Sequence, residues 1–250
     1  MKLVRFVVSG EERPLWGVLE GDSIRVTDGL GGDFTGDRFP LAKVSLKAPA
    51  EAPKIVCVGK NYVDPAKPTP ADELPKEPGL FLKAANALAD PEQPLPYPSF
   101  TKELAFEGEL AVVIGRTMKK VRESDALDYV LGYSCAIDIT AKDCQKADLQ
   151  WVRAKSADRF CPLGPWIETD LSPQNVMLRT RINGEVRQES STALMIFPVA
   201  FILSYISSFM TLLSGDVVLT GTPKGAGPLQ RGDVIEVSIE GIGTLKTPVV

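Results

Sequence analysis

The sequence predicts a β-rich mixed α/β fold with few helices, and three observations carry that prediction. Short apolar runs rich in Val, Ile and Leu recur along the chain: KIVCVGKNY (54–62), LAFEGELAVVIG (104–115), GYSCAID (132–138) and GDVVLTG (215–221). Each is bounded by Gly or turn residues, the pattern of a largely buried strand. Asn183–Gly184 separates LRTRI from EVRQE, and Asn-Gly between two such runs is a strong hairpin signal. Helical spacing is clearest after Pro198, where Val199, Ile202, Leu203, Ile206 and Met210 share one face and serines the other.

Taken in order, residues 1–50 hold three short alternating runs, MKLVRFVV, PLWGVLE and DSIRVTD, and are expected to form a small β-rich N-terminal domain. Residues 51–250 would form the larger, catalytic domain, with APAEAP (48–53) as the linker. KIVCVGKNY reads as a buried strand entering a Gly-marked turn. Val63 to Phe100 contains nine prolines, which predicts a long irregular connection or lid without regular structure inside it. AKDCQKADLQWVRAKSADRF begins helically and CPLGPW (161–166) reads as a rigid loop. SGDVVLTGTPKGAG is a strand running into a Gly-rich turn, and RGDVIEVSIEGIGTLKTPVV closes the chain as a hairpin.

Composition narrows the partners. The chain has 250 residues, 44% of them hydrophobic and 24% charged, which is the balance of an ordinary globule. A net charge of −4 leaves no basic footprint for nucleic acid or anionic lipid, so small molecules or other protein surfaces are expected. Cys57, Cys135, Cys144 and Cys161 follow neither C-x-x-C nor framework spacing, which points to a reducing, cytoplasmic setting. MKLVRFVVSGEERP alternates apolar and charged residues and is not expected to act as a signal peptide. Thr192 to Ser214 has no charge and the length of a membrane span. Pro198, the polar residues Ser204, Ser207, Ser208 and Thr211, and the absence of basic flanks favour a core-facing amphipathic helix instead.

The chemistry centres on three acids. Along a strand, side chains alternate between faces, so Glu107 and Glu109 point the same way as Ala111 and Val113. The second run delivers Asp138 from an equally apolar context. Buried carboxylates of one sign must share a proton, meet Lys or Arg, or bind a cation. With no His in the chain and no paired Cys, an all-oxygen site suits Mg²⁺ or Mn²⁺, with Ca²⁺ as a third choice, and disfavours zinc. The residues alone leave open a second reading, an edge strand whose two Glu pair with surface lysines.

KIVCVGKNY (54–62), FLKAANAL (81–88), FEGELAVVIGR (106–116), GYSCAIDITAKDCQ (132–145), AKSADRFCPLGPW (154–166) and VVLTGTPKGAGPL (217–229) occur in this order. Together they resemble the fumarylacetoacetate hydrolase family over roughly residues 50–248, most of all its bacterial members that isomerise or decarboxylate 2-oxo- or 2-hydroxy-hepta-ene-dioates. The resemblance implies a β-roll or β-sandwich catalytic domain with a small N-terminal domain, and commonly a homodimer. It implies that Glu107, Glu109 and Asp138 hold the divalent metal. It also implies that Lys155 and Lys83 act in catalysis and that Gln145, Thr222 and Gly221 bind substrate; spacing alone would not single out the lysines. The GTPKGAG turn lacks Walker spacing, so a substrate carboxylate fits it better than a nucleotide.

In one place the chain departs from its family. The family motif continues Asn-Tyr-x-x-His with a Glu three residues later, a pair used as general acid and base or to activate water. Here those positions are Pro65 and Pro68: either the two prolines stiffen a lid that no longer transfers protons, or Asp64, Asp72 or Glu73 takes over. C–C hydrolysis, which needs an activated water, is penalised most. Isomerisation could use a lysine of lowered pKa, a lid carboxylate or water. The expectation is therefore a metal-dependent isomerase or decarboxylase of 2-oxo dicarboxylic acids of aromatic-compound catabolism, working through a metal-stabilised enolate. The alternatives are a C–C hydrolase of acylpyruvate-like substrates and a non-catalytic member of the fold.

Overall fold

The computed structural model describes residues 1–250. The N-terminal runs form an antiparallel meander, β1 (Lys2–Val8), β2 (Leu15–Glu20), β3 (Ser23–Thr27) and β4 (Phe34–Pro40), with β5 (Val44–Lys47) returning along the other edge of β1. Their inward residues Val4, Phe6, Ile24 and Val26 close over a small core of their own. The rest of the chain supplies β6 (Ile55–Gly59), β7 (Gly79–Lys83) and β8 (Leu88–Ala89), then β9 (Leu104–Phe106), β10 (Gly108–Ile114), β11 (Val130–Ile137) and β12 (Thr140–Ala141). Two short helices, α1 (Lys142–Ala147) and α2 (Val152–Lys155), lead into β13 (Cys161–Glu168) and the hairpin β14 (Met177–Ile182) and β15 (Glu185–Ser191). Helix α3 (Val199–Phe209) precedes β16 (Val217–Leu219), β17 (Gly227–Pro228) and the closing hairpin β18 (Val234–Ile239) and β19 (Gly243–Pro248).

These strands make one large sheet in the order β4-β3-β2-β1-β13-β11-β10-β16-β6-β7, a four-stranded sheet β15-β14-β18-β19 and a small sheet β12-β9-β17. The four-stranded sheet lies against β10, β11 and β13, which makes a β-rich layered core and buries β10 at every position. The small β-rich N-terminal meander is joined edge to edge through Lys2↔Glu168 and Leu3↔Ile167, so both parts share one sheet. Asn183 and Gly184 both take positive φ, as the hairpin signal requires. Helix α3 buries Val199, Ile202, Leu203 and Ile206 as its spacing predicts, but Ser207 is buried with them, its hydroxyl accepting from Val121 N, and Met210 falls just past the helix end. No helix is long and apolar enough to cross a membrane.

Four local expectations need correction. CPLGPW is not a loop but the start of β13; the β11–β13 register is irregular between Tyr133 and Cys135, and that irregularity absorbs Pro165, while Pro162 pairs with Ala89 of β8. The proline-rich segment contains β7 and β8, because its prolines cluster at 65–78 and 91–98 and leave residues 79–90 free to pair. APAEAP is no solvated linker: Ala48, Ala50 and Ala52 are buried, their small side chains letting the chain pass through the core. LAFEGELAVVIG is broken at Glu107, with β9 pairing in the small sheet and β10 in the large one.

Candidate active site

The break at Glu107 places the acids. Gly108 turns its bare face to the four-stranded sheet, where a Cβ would fall 2.1 Å from Thr180 Oγ1, so the two sheets approach closely there. Gly108 N donates to Gln188 Oε1 at 3.0 Å, and Gln188 Nε2 in turn donates to Thr222 Oγ1 and Pro223 O. Glu107 and Glu109 flank this glycine on the opposite face. The β11 chain ends beside them, and Asp138 N donates to Glu107 O at 2.8 Å. One carboxylate oxygen from each of Glu107, Glu109 and Asp138 lies within 4.8 Å of the others.

Three lysines surround these acids. Lys155 Nζ is 2.5 Å from Asp138 Oδ2 and 3.0 Å from Glu107 Oε2, and it also donates to Thr140 Oγ1 at 2.7 Å. Lys83 Nζ sits 2.7 Å from Asp138 Oδ1, but its hydrogen bonds run to the carbonyls of Ile139, Lys155 and Phe160. Its contact with Asp138 Oδ1 is a buried ion pair made alongside the hydrogen bonds to those carbonyls. Lys142, at the start of α1, reaches Glu107 Oε1 at 2.5 Å with a third of its side chain exposed. Glu109 touches no lysine; its one donor is Gly221 N, 2.6 Å from Oε2.

The electrostatics follow from burial and charge. Burial, Asp138 and Glu107 together push the Glu109 carboxyl well above its ordinary value. Burial alone would raise Asp138 as well, but Lys83 and Lys155 outweigh it and hold that carboxyl low. Burial works against the Lys155 charge, and Asp138 and Glu107 overcome it, so its ammonium is raised. The expectation of a lysine with lowered pKa is thus reversed at Lys155. Cys161, pushed up to about 12 by burial, is no nucleophile.

A divalent cation suits this donor set. A buried carboxylate, Glu109, raised by burial and its neighbours' charge and met by no lysine, and three hard oxygen ligands within one ion's reach are what Mg²⁺ or Mn²⁺ would satisfy. The lysines neutralise part of the cluster, as the edge-strand reading foresaw, but Lys83 and Lys155 are buried, not surface residues, and Glu109 is left free of them.

The remaining sequence-derived residues divide. Gly221 meets Glu109 through its amide, and its φ of +100° with Asn61 Cβ 2.7 Å from a would-be side chain explains the glycine. Thr222 Oγ1 donates to Gly108 O and accepts from Gln188, so its hydroxyl braces the turn. Gln145 lies half-buried on α1 next to Cys144. Pro65 and Pro68 face solvent. Among the replacement acids, Asp72 and Glu73 are exposed, while Asp64 is bound to Lys224 at 2.9 Å, which holds its carboxyl below the usual range. Sequence reasoning missed Lys142, four residues beyond Asp138, together with Gln188 and Tyr62. Two of them carried a signal: Lys142 in the DITAKD run beside the third acid, and Tyr62 in the Asn-Tyr pair of the family motif. An apolar groove of about 580 Å³ between β7, residues 149–152 and Phe209 lies elsewhere and gathers no acids.

The chain is similar to known proteins along its whole length. Residues 54–250 match the family model described as fumarylacetoacetate (FAA) hydrolase C-terminal, and residues 1–49 match one described as Rv2993c-like, N-terminal. The chain is similar to a Mycobacterium smegmatis structure described as 5-carboxymethyl-2-hydroxymuconate delta-isomerase, with TM-score 0.93 and 43% identity, covering 100% of this chain and 99% of that one. It is 43% identical over 198 residues to the bovine mitochondrial oxaloacetate tautomerase FAHD1, spanning 77% of this chain and 89% of the relative. Maleylpyruvate hydrolase from Sphingobium sp. SYK-6, solved with manganese(II) and pyruvate, has TM-score 0.83 and 30% identity over 100% of this chain and 99% of that one.

Proposed function

The chain belongs to the fumarylacetoacetate hydrolase family, and from that premise we propose that it is a divalent-cation-dependent enzyme that isomerises or decarboxylates 2-oxo dicarboxylic acids. In this reading residues 51–250 form the catalytic unit and residues 1–50 a small appended one. The observation that carries it is the convergence of Glu107, Glu109 and Asp138 on one point, with Glu109 buried and met by no lysine. Mg²⁺ or Mn²⁺ held there would supply Lewis-acid polarisation of a keto oxygen.

Charge balance favours a dianionic substrate. Three carboxylates face three ammonium groups, Lys83, Lys142 and Lys155, so a divalent cation leaves two positive charges for a dicarboxylate to neutralise. Lys142, at the solvent side of Glu107, is placed to meet such a carboxylate, while Lys155 and Lys83 hold Asp138 in position from within. The buried lysine pair costs no reorganisation when charge develops on the substrate. Oxaloacetate, the substrate in the name of the bovine relative, has the required 2-oxo and dicarboxylate groups and is the first compound to test.

Hydrolysis is the second reading, favoured by the maleylpyruvate hydrolase likeness. Against it, the family's His–Glu positions are solvent-facing prolines and Asp64 is already paired with Lys224. One panel separates these readings: oxaloacetate, an oxo-heptenedioate and an acylpyruvate, each with Mg²⁺, Mn²⁺ or EDTA. Enol absorbance, CO₂ release and C–C cleavage products are followed in parallel. Isomerisation or decarboxylation that stops with EDTA supports the proposal; fast turnover in EDTA contradicts it, and tight metal binding without any turnover would mark a non-catalytic member.

A further inference from the structure

We propose that Tyr62 is a catalytic residue of this site, its phenolic O–H donating a hydrogen bond to an oxygen of the bound 2-oxo acid. The inference rests on the reading of the acid cluster given above. Its starting point is an inventory of polar hydrogens. Lys83 spends its hydrogens on three carbonyls and Lys155 on Asp138, Glu107 and Thr140, while Lys142 spends one on Glu107 and is a charged donor for a substrate carboxylate. Gly221 N is given to Glu109, the Thr222 hydroxyl to Gly108 O, and the Gln188 amide to Thr222 and Pro223. Gln145 has no recorded partner but is half-exposed on α1, where water serves it. Tyr62 differs from all of these: its hydroxyl is cut off from solvent and has no hydrogen-bond partner.

The position is also held firmly. Asn61 Nδ2 donates to Phe197 O at 3.0 Å and Thr220 O at 2.8 Å, and its Oδ1 accepts from Phe197 N at 2.8 Å. Tyr62 itself forms a backbone bridge with Met195, and Val63 N donates to Leu194 O at 3.0 Å. The turn that supplies the Glu109 donor rests on the same place, since Gly221 packs against Asn61. Tyr62 is thus carried on the contact chain Glu109–Gly221–Asn61, and burial together with the charge of Glu109 raises its phenol further from ionisation. A neutral phenol donates a proton in a hydrogen bond but does not abstract one; Thr180 Oγ1 is also buried without a partner but lies on the opposite face of Gly108 from the acids, whereas Tyr62 is near enough to Glu109 to feel its charge. A buried hydroxyl without a partner is costly, so fixing one here makes physical sense if a ligand completes it.

Tyr62→Phe keeps the ring and deletes only the oxygen, which makes it the decisive variant. The probe is oxalate with Mg²⁺, whose two adjacent oxygens imitate the charge-separated form of a 2-oxo acid, titrated calorimetrically alongside turnover of oxaloacetate. Against wild type, the variant is expected to bind oxalate roughly tenfold more weakly, to lose kcat/KM by at least as much, and to bind Mg²⁺ alone unchanged. Its ligand-free melting temperature should rise by a few degrees, because the orphaned hydroxyl is gone. A purely structural tyrosine would move stability alone: unchanged oxalate affinity and turnover in Tyr62→Phe overturn the proposal. If wild type itself binds neither oxalate nor any 2-oxo acid, the 2-oxo acid reading fails first, and the wild-type titration identifies that failure.

Discussion

Asp138 and Asp64 are both aspartates paired with lysine near one site, yet their surroundings differ completely. Asp138 ends a strand buried on both faces, tied by its own amide to Glu107 O and by its carboxylate to Lys83 and Lys155, none of them solvent-exposed. Asp64 opens the proline-rich segment and meets one lysine, Lys224, whose side chain is 66% exposed. Charge interactions in a dry interior are strong and unforgiving, and at a wet surface they are screened and weak. The sheet-borne half of the site is therefore fixed before any ligand arrives, while the proline-rich half is held by contacts that solvent can replace.

The largest effect expected from breaking this comparison is at Asp138. Asp138→Ala leaves Lys83 buried without a counter-charge and Lys155 with Glu107 alone, and unfolding in urea should give a loss of about 3–5 kcal/mol. Calorimetric titration should detect no Mg²⁺ or Mn²⁺ binding. A loss below about 1 kcal/mol would mean that the carbonyls around Lys83 suffice and that the acid is not what makes the cluster rigid.

A smaller effect is expected at Gly221, where the fixed half meets the turn. A side chain there has to tolerate φ +100° and displace Asn61, pulling the amide off Glu109, so Gly221→Ala should cost about 1–3 kcal/mol and weaken metal binding. Gly232→Ala makes the control: its φ is +91° with nothing within 4 Å, so it carries the backbone cost without the contact. Equal losses at the two glycines, with metal affinity untouched in both, would remove Glu109's turn from the argument.

How much of this was legible beforehand follows the same division. Period-two alternation put Glu107 and Glu109 on one face, and an apolar context put Asp138 in the interior, because burial of strands leaves a strong mark on sequence. The family resemblance supplied Lys83 and Lys155; in FLK, the exposed residue is Leu82 and the buried one Lys83, the reverse of what hydropathy suggests. The prolines of CPLGPW predict a loop where β13 begins, because proline density says nothing of an irregular register that can absorb Pro165. Lys142 and Tyr62 were missed for a different reason. Their significance lies in which hydrogen bonds they make or lack, and that depends on neighbours distant in sequence, such as Glu107 for Lys142.

The smallest stability effect is expected at Asp64, and it sharpens the comparison from the other side. Its folded pKa is depressed, chiefly by the Lys224 hydrogen bond, so the contact is intact above the ordinary carboxylate range and is lost as pH falls through the lowered value. Asp64→Asn should leave the melting temperature at neutral pH unresolved from wild type, because both partners remain solvated. Proteolytic nicking within residues 63–78 should rise in the variant at neutral pH, and wild type should approach the same susceptibility on acidification, measured with an acid-tolerant protease. If nicking is unchanged by Asp64→Asn and by pH, the segment is held by Val63 on Leu194 and by Tyr205 on Glu77 instead, and the proline-rich half is more firmly built than the exposure of Lys224 implies.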